Sequence, residues 1–210
     1  MIKEILIKDK SISIDDLNHF IDLADSYQID NICLPSYFLG YVKCDTISIA
    51  AQIDYPYGLS STKTRIREVI YAADSGANLI DLTINPFLMA NNFQDKIIDE
   101  IKIINDLCKD KRKSLRCIIE YRLFDSKFIL DFCDELYKNK VDSVITSTGT
   151  MSNIFEDDCL IAAYLCEMTP MNIIVSSSVR TKEDYHELKK FKVGVRSSDK
   201  FVIKDIFGVL

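Results

Sequence analysis

Short β-branched runs and longer stretches of helical period alternate from one end of the chain to the other. Eight runs read as strands: IKEILIK (2–8), DNICLP (30–35), TISIAAQI (46–53), LIDLTIN (79–85), LRCIIEY (115–121), DSVITST (142–148), NIIVSSS (172–178) and KVGVRS (192–197). Between them, stretches with apolar residues three and four apart read as amphipathic helices: IDDLNHFIDLADSY, TKTRIREVIYAADSG, the segment from Phe93 to Lys111, SKFILDFCDELYKN, EDDCLIAAYLCEM, TKEDYHELKKF and a short tail around Phe201 to Phe207. Only the second and third strands lack a clear helix between them. Helix-start residues agree with this register: Ser13 stands three residues ahead of Asp16, Ser61 and Thr62 open the helix after the third strand, and Thr181 stands three ahead of Asp184. Eight strands alternating with helices, without a composition break, a solenoid repeat or a low-complexity linker, predict one closed (β/α)₈ TIM barrel over residues 1–210. An open flavodoxin-like sheet is the alternative, but it usually needs fewer strands in this length.

Composition narrows the function classes. With 48% hydrophobic residues the 210-residue chain is ordinary globular material. Lys plus Arg number 26 against 32 Asp plus Glu, giving a net charge of −6. No global positive field exists to draw nucleic acid or an anionic membrane, so any phosphate must be held locally. The start of the chain, MIKEILIKDKSISIDD, lacks an apolar core of signal-peptide length, and no run of about 18 apolar residues occurs. The expected location is cytoplasmic. Seven scattered cysteines with no CxxC pair suit reduced thiols, and His19 and His186 are too few for a histidine-based metal or triad site. No metal and no cofactor is expected; a homodimer is open to such a barrel, since dimers are common among barrels, but nothing in the sequence fixes an interface.

A barrel carries its chemistry at the carboxyl ends of its strands. Polar residues there are Cys33, Asp54, Asp81 with Thr83 and Asn85, Glu120, Ser147 with Thr148 and Gly149, Ser176 with Ser177 and Ser178, and Arg196 with Ser197 and Ser198. Hydroxyls and turn N–H groups at the ends of strands six to eight are suited to a phosphorylated ligand. Serine and threonine are equally at home in turns, where they satisfy backbone groups.

From Cys33 onward these segments resemble the deoxyribose-phosphate aldolase family, class I aldolases that split deoxyribose 5-phosphate into acetaldehyde and glyceraldehyde 3-phosphate. DNICLP looks like the family's cysteine-before-proline strand, and YPYGLSSTKTRIRE resembles its aromatic-Pro-x-Gly loop with Glu68 on the helix glutamate. SGANLIDLTIN places Asp81 on the catalytic aspartate, while LRCIIEY, ITSTGT and IVSSSVRT resemble the family's fifth, sixth and seventh strands, with Glu120, Arg180 and Thr181 at matching positions. The resemblance implies the barrel and puts the Schiff-base lysine at Ile145, its partner lysine at Ile174 and a third strand lysine at Arg116. The paired glycines of the phosphate loop fall on Ser177 and Ser178, and Arg196 is available as a charge-assisted phosphate contact.

A Schiff base needs an amine able to lose its proton near neutral pH, and isoleucine has none. Strand alternation puts Ser143, Ile145 and Ser147 on one face and Asn172, Ile174 and Ser176 on another, the inward faces by the resemblance. Two isoleucines there extend the apolar layer of the barrel into the site and leave Asp81 in need of a partner, with Arg116, Arg180, Thr83 and Ser147 the candidates. Three readings follow: an aldolase-like barrel without class I chemistry that keeps at most a sugar-phosphate or small-anion site; an active lyase using Lys63, Asp81 or Glu120 instead; and a non-catalytic scaffold or partner subunit. Cys33 near the mouth has no histidine in sequence reach to activate it.

Overall fold

The computed structural model describes residues 2–42, 44–151, 154–176 and 179–198. Ser177, Ser178 and the tail from Phe201 to Phe207 lie outside the described residues. In chain order the elements are β1 (Lys3–Leu6), α1 (Ile14–Ser26), β2 (Asn31–Pro35), β3 (Ser48–Ile53), α2 (Thr62–Asp74), β4 (Leu79–Thr83), α3 (Pro86–Ala90), α4 (Gln94–Asp110), β5 (Ser114–Ile118), α5 (Ser126–Lys138), β6 (Ser143–Ile145), α6 (Phe155–Met168), β7 (Asn172–Ser176), α7 (Lys182–Lys189) and β8 (Gly194–Ser197). Each strand is parallel to the next, and β1 pairs with both β2 and β8, so the sheet closes into an eight-stranded barrel in sequence order. This is the (β/α)₈ architecture that the alternation predicts.

The caps follow the sequence. Ser13 accepts from the Asp16 N–H, Ser61 from the Thr64 N–H, and Thr181 forms a reciprocal capping box with Asp184. The gap noted between the second and third strands is bridged by a 3₁₀ turn over Ser36–Tyr41, too short to show a helical period. The short α3 lies in a stretch without a helical pattern of its own; it starts where Asn85 accepts from the Leu88 N–H and Pro86 sits at its first turn. β6 is shorter than its hydrophobic run, because after Ile145 the chain turns into a loop held by other strands.

Outward strand residues such as Ile5, Ile80, Val144 and Val195 join Leu17, Val69, Ile101 and Leu136 of the helices in one apolar shell. Burying each such side chain contributes about 2 kcal/mol, so this shell holds the helices to the barrel. The inward face differs. Its apolar residues fall into two small separate groups, Leu6 with Cys33 and Ala50, and Ile118 with Ile145 and Ile174. Charged side chains occupy the space between them.

Candidate functional site

The loop after β3 shapes the mouth of the barrel. Asp54 takes a positive φ of 53°, and Gly58, at φ 66°, lies so close to β4 that a Cβ there would stand 2.6 Å from the Ile84 carbonyl oxygen. Buried Arg65 clamps this loop by donating to Asp54 at 2.8 Å, to Glu100 at 2.7 Å and to the Gly58 carbonyl, while Ser60 donates to Asp54 through its N–H and its hydroxyl. Glu68 ties the neighbouring loop in, accepting from the Ser36 hydroxyl at 2.7 Å and the Asp54 N–H at 3.0 Å. The clamp sets Tyr55 against Ile118, Ile145 and Ile174, and its hydroxyl donates to the Thr148 carbonyl at 2.5 Å. Burial pushes the Tyr55 phenol up to about 12, so it stays a neutral donor.

Below that layer lies a closed ring of four charges. Arg116 donates two bonds to Asp81, at 2.7 and 3.0 Å, and reaches Glu4 with its third nitrogen. Arg196 donates to Glu4 at 2.8 Å and to Asp81 at 2.7 Å. Asn31 adds a bond to Glu4 at 2.7 Å, and the Cys33 thiol a longer one at 3.4 Å. Glu4 and Arg196 sit on the paired strands β1 and β8, Asp81 and Arg116 on the paired strands β4 and β5, so each arginine spans the barrel. All four side chains are at most 1% exposed. Burial alone would raise the Glu4 carboxyl, but the Arg196 and Arg116 charges and their hydrogen bonds outweigh it and hold the group at about 2. Burial likewise opposes the charge on both arginines, and the acidic groups around them override it, raising both above the ordinary arginine range. The ring is electrically neutral and each carboxylate is held by both arginines, the condition under which buried charge is tolerated.

This geometry accounts for several of the predicted site residues. Asp81 takes Arg116 as its partner, and takes Arg196 as well. Arg196, which the sequence offers as a phosphate contact, lies at the barrel interior with its Nε on Glu4 and one terminal nitrogen on Glu4 and Asp81. Cys33 is fully buried, and burial pushes its thiol well up, away from the thiolate a nucleophile requires. Glu120 anchors the loop after β6 by accepting from the N–H and the hydroxyl of Thr148. In the same loop the Gly149 N–H donates to the Ser147 hydroxyl and the Thr150 N–H to the Thr148 hydroxyl, so three consecutive backbone donors suited to a phosphate are already paired. Ser176 and Ser197 are buried, and Arg180 and Lys63 are exposed, Lys63 in the first turn of α2. Among the described residues no group of three or more His, Cys, Asp or Glu side chains is placed to hold a metal ion, and no helix is long and apolar enough to cross a membrane.

A cavity of about 680 Å³ opens on the other side of Tyr55, lined by residues that include Lys8, Lys10, Gln52, Tyr37, Tyr55 and Tyr57. Lys8 continues the inward series Glu4, Leu6, Lys8 two residues past the end of β1 and donates to the Gly149 carbonyl at 2.7 Å. Burial lowers its pKa; Glu120 pulls the value back up and Arg196 lowers it further. Gln52 is 2% exposed, and neither atom of its amide meets a hydrogen-bond partner among the described residues. Glu4, Lys8 and Gln52 are not among the residues that the sequence points to. The signal for the first two is the period-2 alternation of the first strand carried past its last paired residue.

No family model matches the chain. A deoxyribose-phosphate aldolase of Treponema denticola is 30% identical over 167 residues, covering 77% of this chain and 76% of that protein. The chain belongs to the deoxyribose-phosphate aldolase family. A second deoxyribose-phosphate aldolase, from Caldicellulosiruptor saccharolyticus, is 28% identical over 180 residues and covers 82% and 81%. Among solved structures, the tetrameric deoxyribose phosphate aldolase of Aeropyrum pernix superposes with a TM-score of 0.85 at 17% identity, covering 97% of this chain and 87% of that one. A putative deoxyribose-phosphate aldolase of Coccidioides immitis gives the same score at 19% identity, covering 98% and 83%. At such identities the superpositions speak for the barrel alone, which this chain shares with the family.

Proposed function

We propose that this aldolase-like barrel does not carry out the family's Schiff-base cleavage and serves instead as a binding protein for a small polar ligand, a sugar phosphate or another small anion, at the carboxyl end of the strands. The observation that carries this reading is the isoleucine layer: Ile145 and Ile174 are fully buried together with Ile118, sealed by Tyr55, at the two positions where the resemblance puts lysines. An amine is missing there, and so is room for a carbonyl substrate to approach one. Asp81, which the resemblance casts in proton transfer, is bonded to two arginines and has no lysine beside it in the ring. Both oxygens of that carboxylate are taken up by guanidinium N–H donors.

The alternative of a relocated lysine at Lys63 finds no support in an exposed side chain at a helix start. A cytoplasmic homodimer fits this reading, and the tetrameric assembly of the Aeropyrum pernix aldolase supports self-association of such a barrel. The test is release of acetaldehyde from deoxyribose 5-phosphate by the purified chain, with an active family member assayed in parallel. The expected rate is indistinguishable from buffer, at least about 10⁴-fold below the active enzyme, the scale of loss when a nucleophile acting within a catalytic unit is removed; family-like turnover would refute the reading.

A further inference from the structure

The cavity beside Tyr55 has properties that a merely leftover space would lack. Gln52, on the inward face of β3, is almost completely buried and lines this cavity with both amide atoms unpartnered among the described residues. A buried amide without partners is uncommon, because its desolvation goes uncompensated. It therefore marks a place for a group that both accepts and donates a hydrogen bond, as a hydroxyl does. Two lysines stand on the same wall, Lys8 half-buried and Lys10 exposed. The carboxylates that also line the cavity are already bonded: Asp54 to Arg65 and Ser60, and Glu68 to Ser36 and the Asp54 N–H. Tyr37 and Tyr57 are largely exposed at the rim, two faces for the carbon skeleton of a ligand.

We infer that this cavity is an anion-recognition site on the strand-one side of the mouth, in which Lys8 and Lys10 hold the acidic end of a small polyhydroxylated acid and Gln52 reads an adjacent hydroxyl. This rests on the reading that the mouth binds a small ligand, and it adds the location, the orientation and the ligand class. The acidic end lies beside β1, where the two lysines of the lining stand, Lys8 two residues past the end of that strand and Lys10 just beyond it. Burial costs Lys8 part of its affinity for a proton, and a bound anion returns it. A carboxylate and a phosphate share this chemistry, and direct titration separates them.

The experiment is calorimetric titration of the full chain with ribonate, ribose 5-phosphate and the neutral ribitol. Binding of at least one acidic probe is expected with a Kd at least tenfold below that of ribitol, and the tighter of the two identifies the acid group. Lys8→Met and Gln52→Leu should each weaken that probe at least fivefold, Lys8→Arg should retain it within about threefold, and Arg180→Met should leave it unchanged. Circular dichroism and the melting temperature verify that each variant is folded; if Lys8→Met unfolds, Lys8→Gln replaces it. Undiminished binding in the folded Lys8 variant, loss confined to Arg180→Met, or no preference for acids over ribitol would each overturn the site. Because none of these readouts involves cleavage, the site can fail while the absence of aldolase activity stands, and the reverse.

Discussion

On the β5–β7 side of the barrel mouth, Ile118, Ile145 and Ile174 close against Tyr55, while on the β1–β3 side Lys8, Lys10 and Gln52 face a cavity of about 680 Å³. The two sides belong to one mouth and differ in what a substrate would meet. The first is an apolar layer with isoleucine at 145 and 174; the second holds positive charge, an amide with no hydrogen-bond partner among the described residues, and exposed aromatic rings. Interior isoleucine is ordinary barrel material, so replacing an amine with it on β6 and β7 simply continues the packed layers upward. What remains open is then set by the strands that the layer does not reach. The four-charge ring beneath both sides keeps the barrel closed without an apolar centre, since Arg116 and Arg196 each bridge opposite walls.

The largest effect on this division should come from breaking the ring. Arg116→Met leaves Glu4 and Asp81 sharing Arg196 alone, and removal of one partner from a buried ionic network typically costs about 3–5 kcal/mol. Urea denaturation should register that loss. A drop below about 1 kcal/mol would mean that the ring is solvated and is not the brace described here.

Next in size is an acid dependence. The Glu4 carboxyl is held at about 2 in the folded barrel, below its unfolded value near 4.3, so the unfolded state binds the extra proton first. The stability that Glu4 contributes is therefore complete above pH 4.5 and is lost as pH falls toward 2, on the order of 3 kcal/mol in all. Denaturant midpoints between pH 6 and 2.5 should fall steeply, and Glu4→Gln, less stable throughout, should show a flatter curve over that window. Equal slopes would assign the acid sensitivity to other carboxylates.

Much of this is legible in the letters. Alternation of strands and helices predicts the closed barrel, the Ser13, Ser61 and Thr181 caps set the helix starts, and the need for a partner at Asp81 follows from burying a carboxylate among isoleucines. The first strand is harder to interpret. Its resemblance to the family begins only at Cys33, so Glu4 and Lys8 have no motif to mark them, and their inward direction emerges only when β1 is registered against β8 and β2. The ion pairs of Arg196 are hidden for a related reason: the carboxylates facing it come from β1 and β4, far away in sequence. Long-range pairing across a barrel leaves no periodic trace in sequence, whereas patterning along one strand does.

Reductive trapping is the most direct measurement. The protein is incubated with acetaldehyde, and separately with deoxyribose 5-phosphate, under borohydride, and its intact mass is recorded beside that of an active family member. With isoleucine at 145 and 174, the mass of this chain should stay unchanged while the active enzyme gains its adduct. A stoichiometric adduct that maps to a single lysine, whether Lys8, Lys63 or another, would show that the amine has moved and that the barrel still does aldolase chemistry.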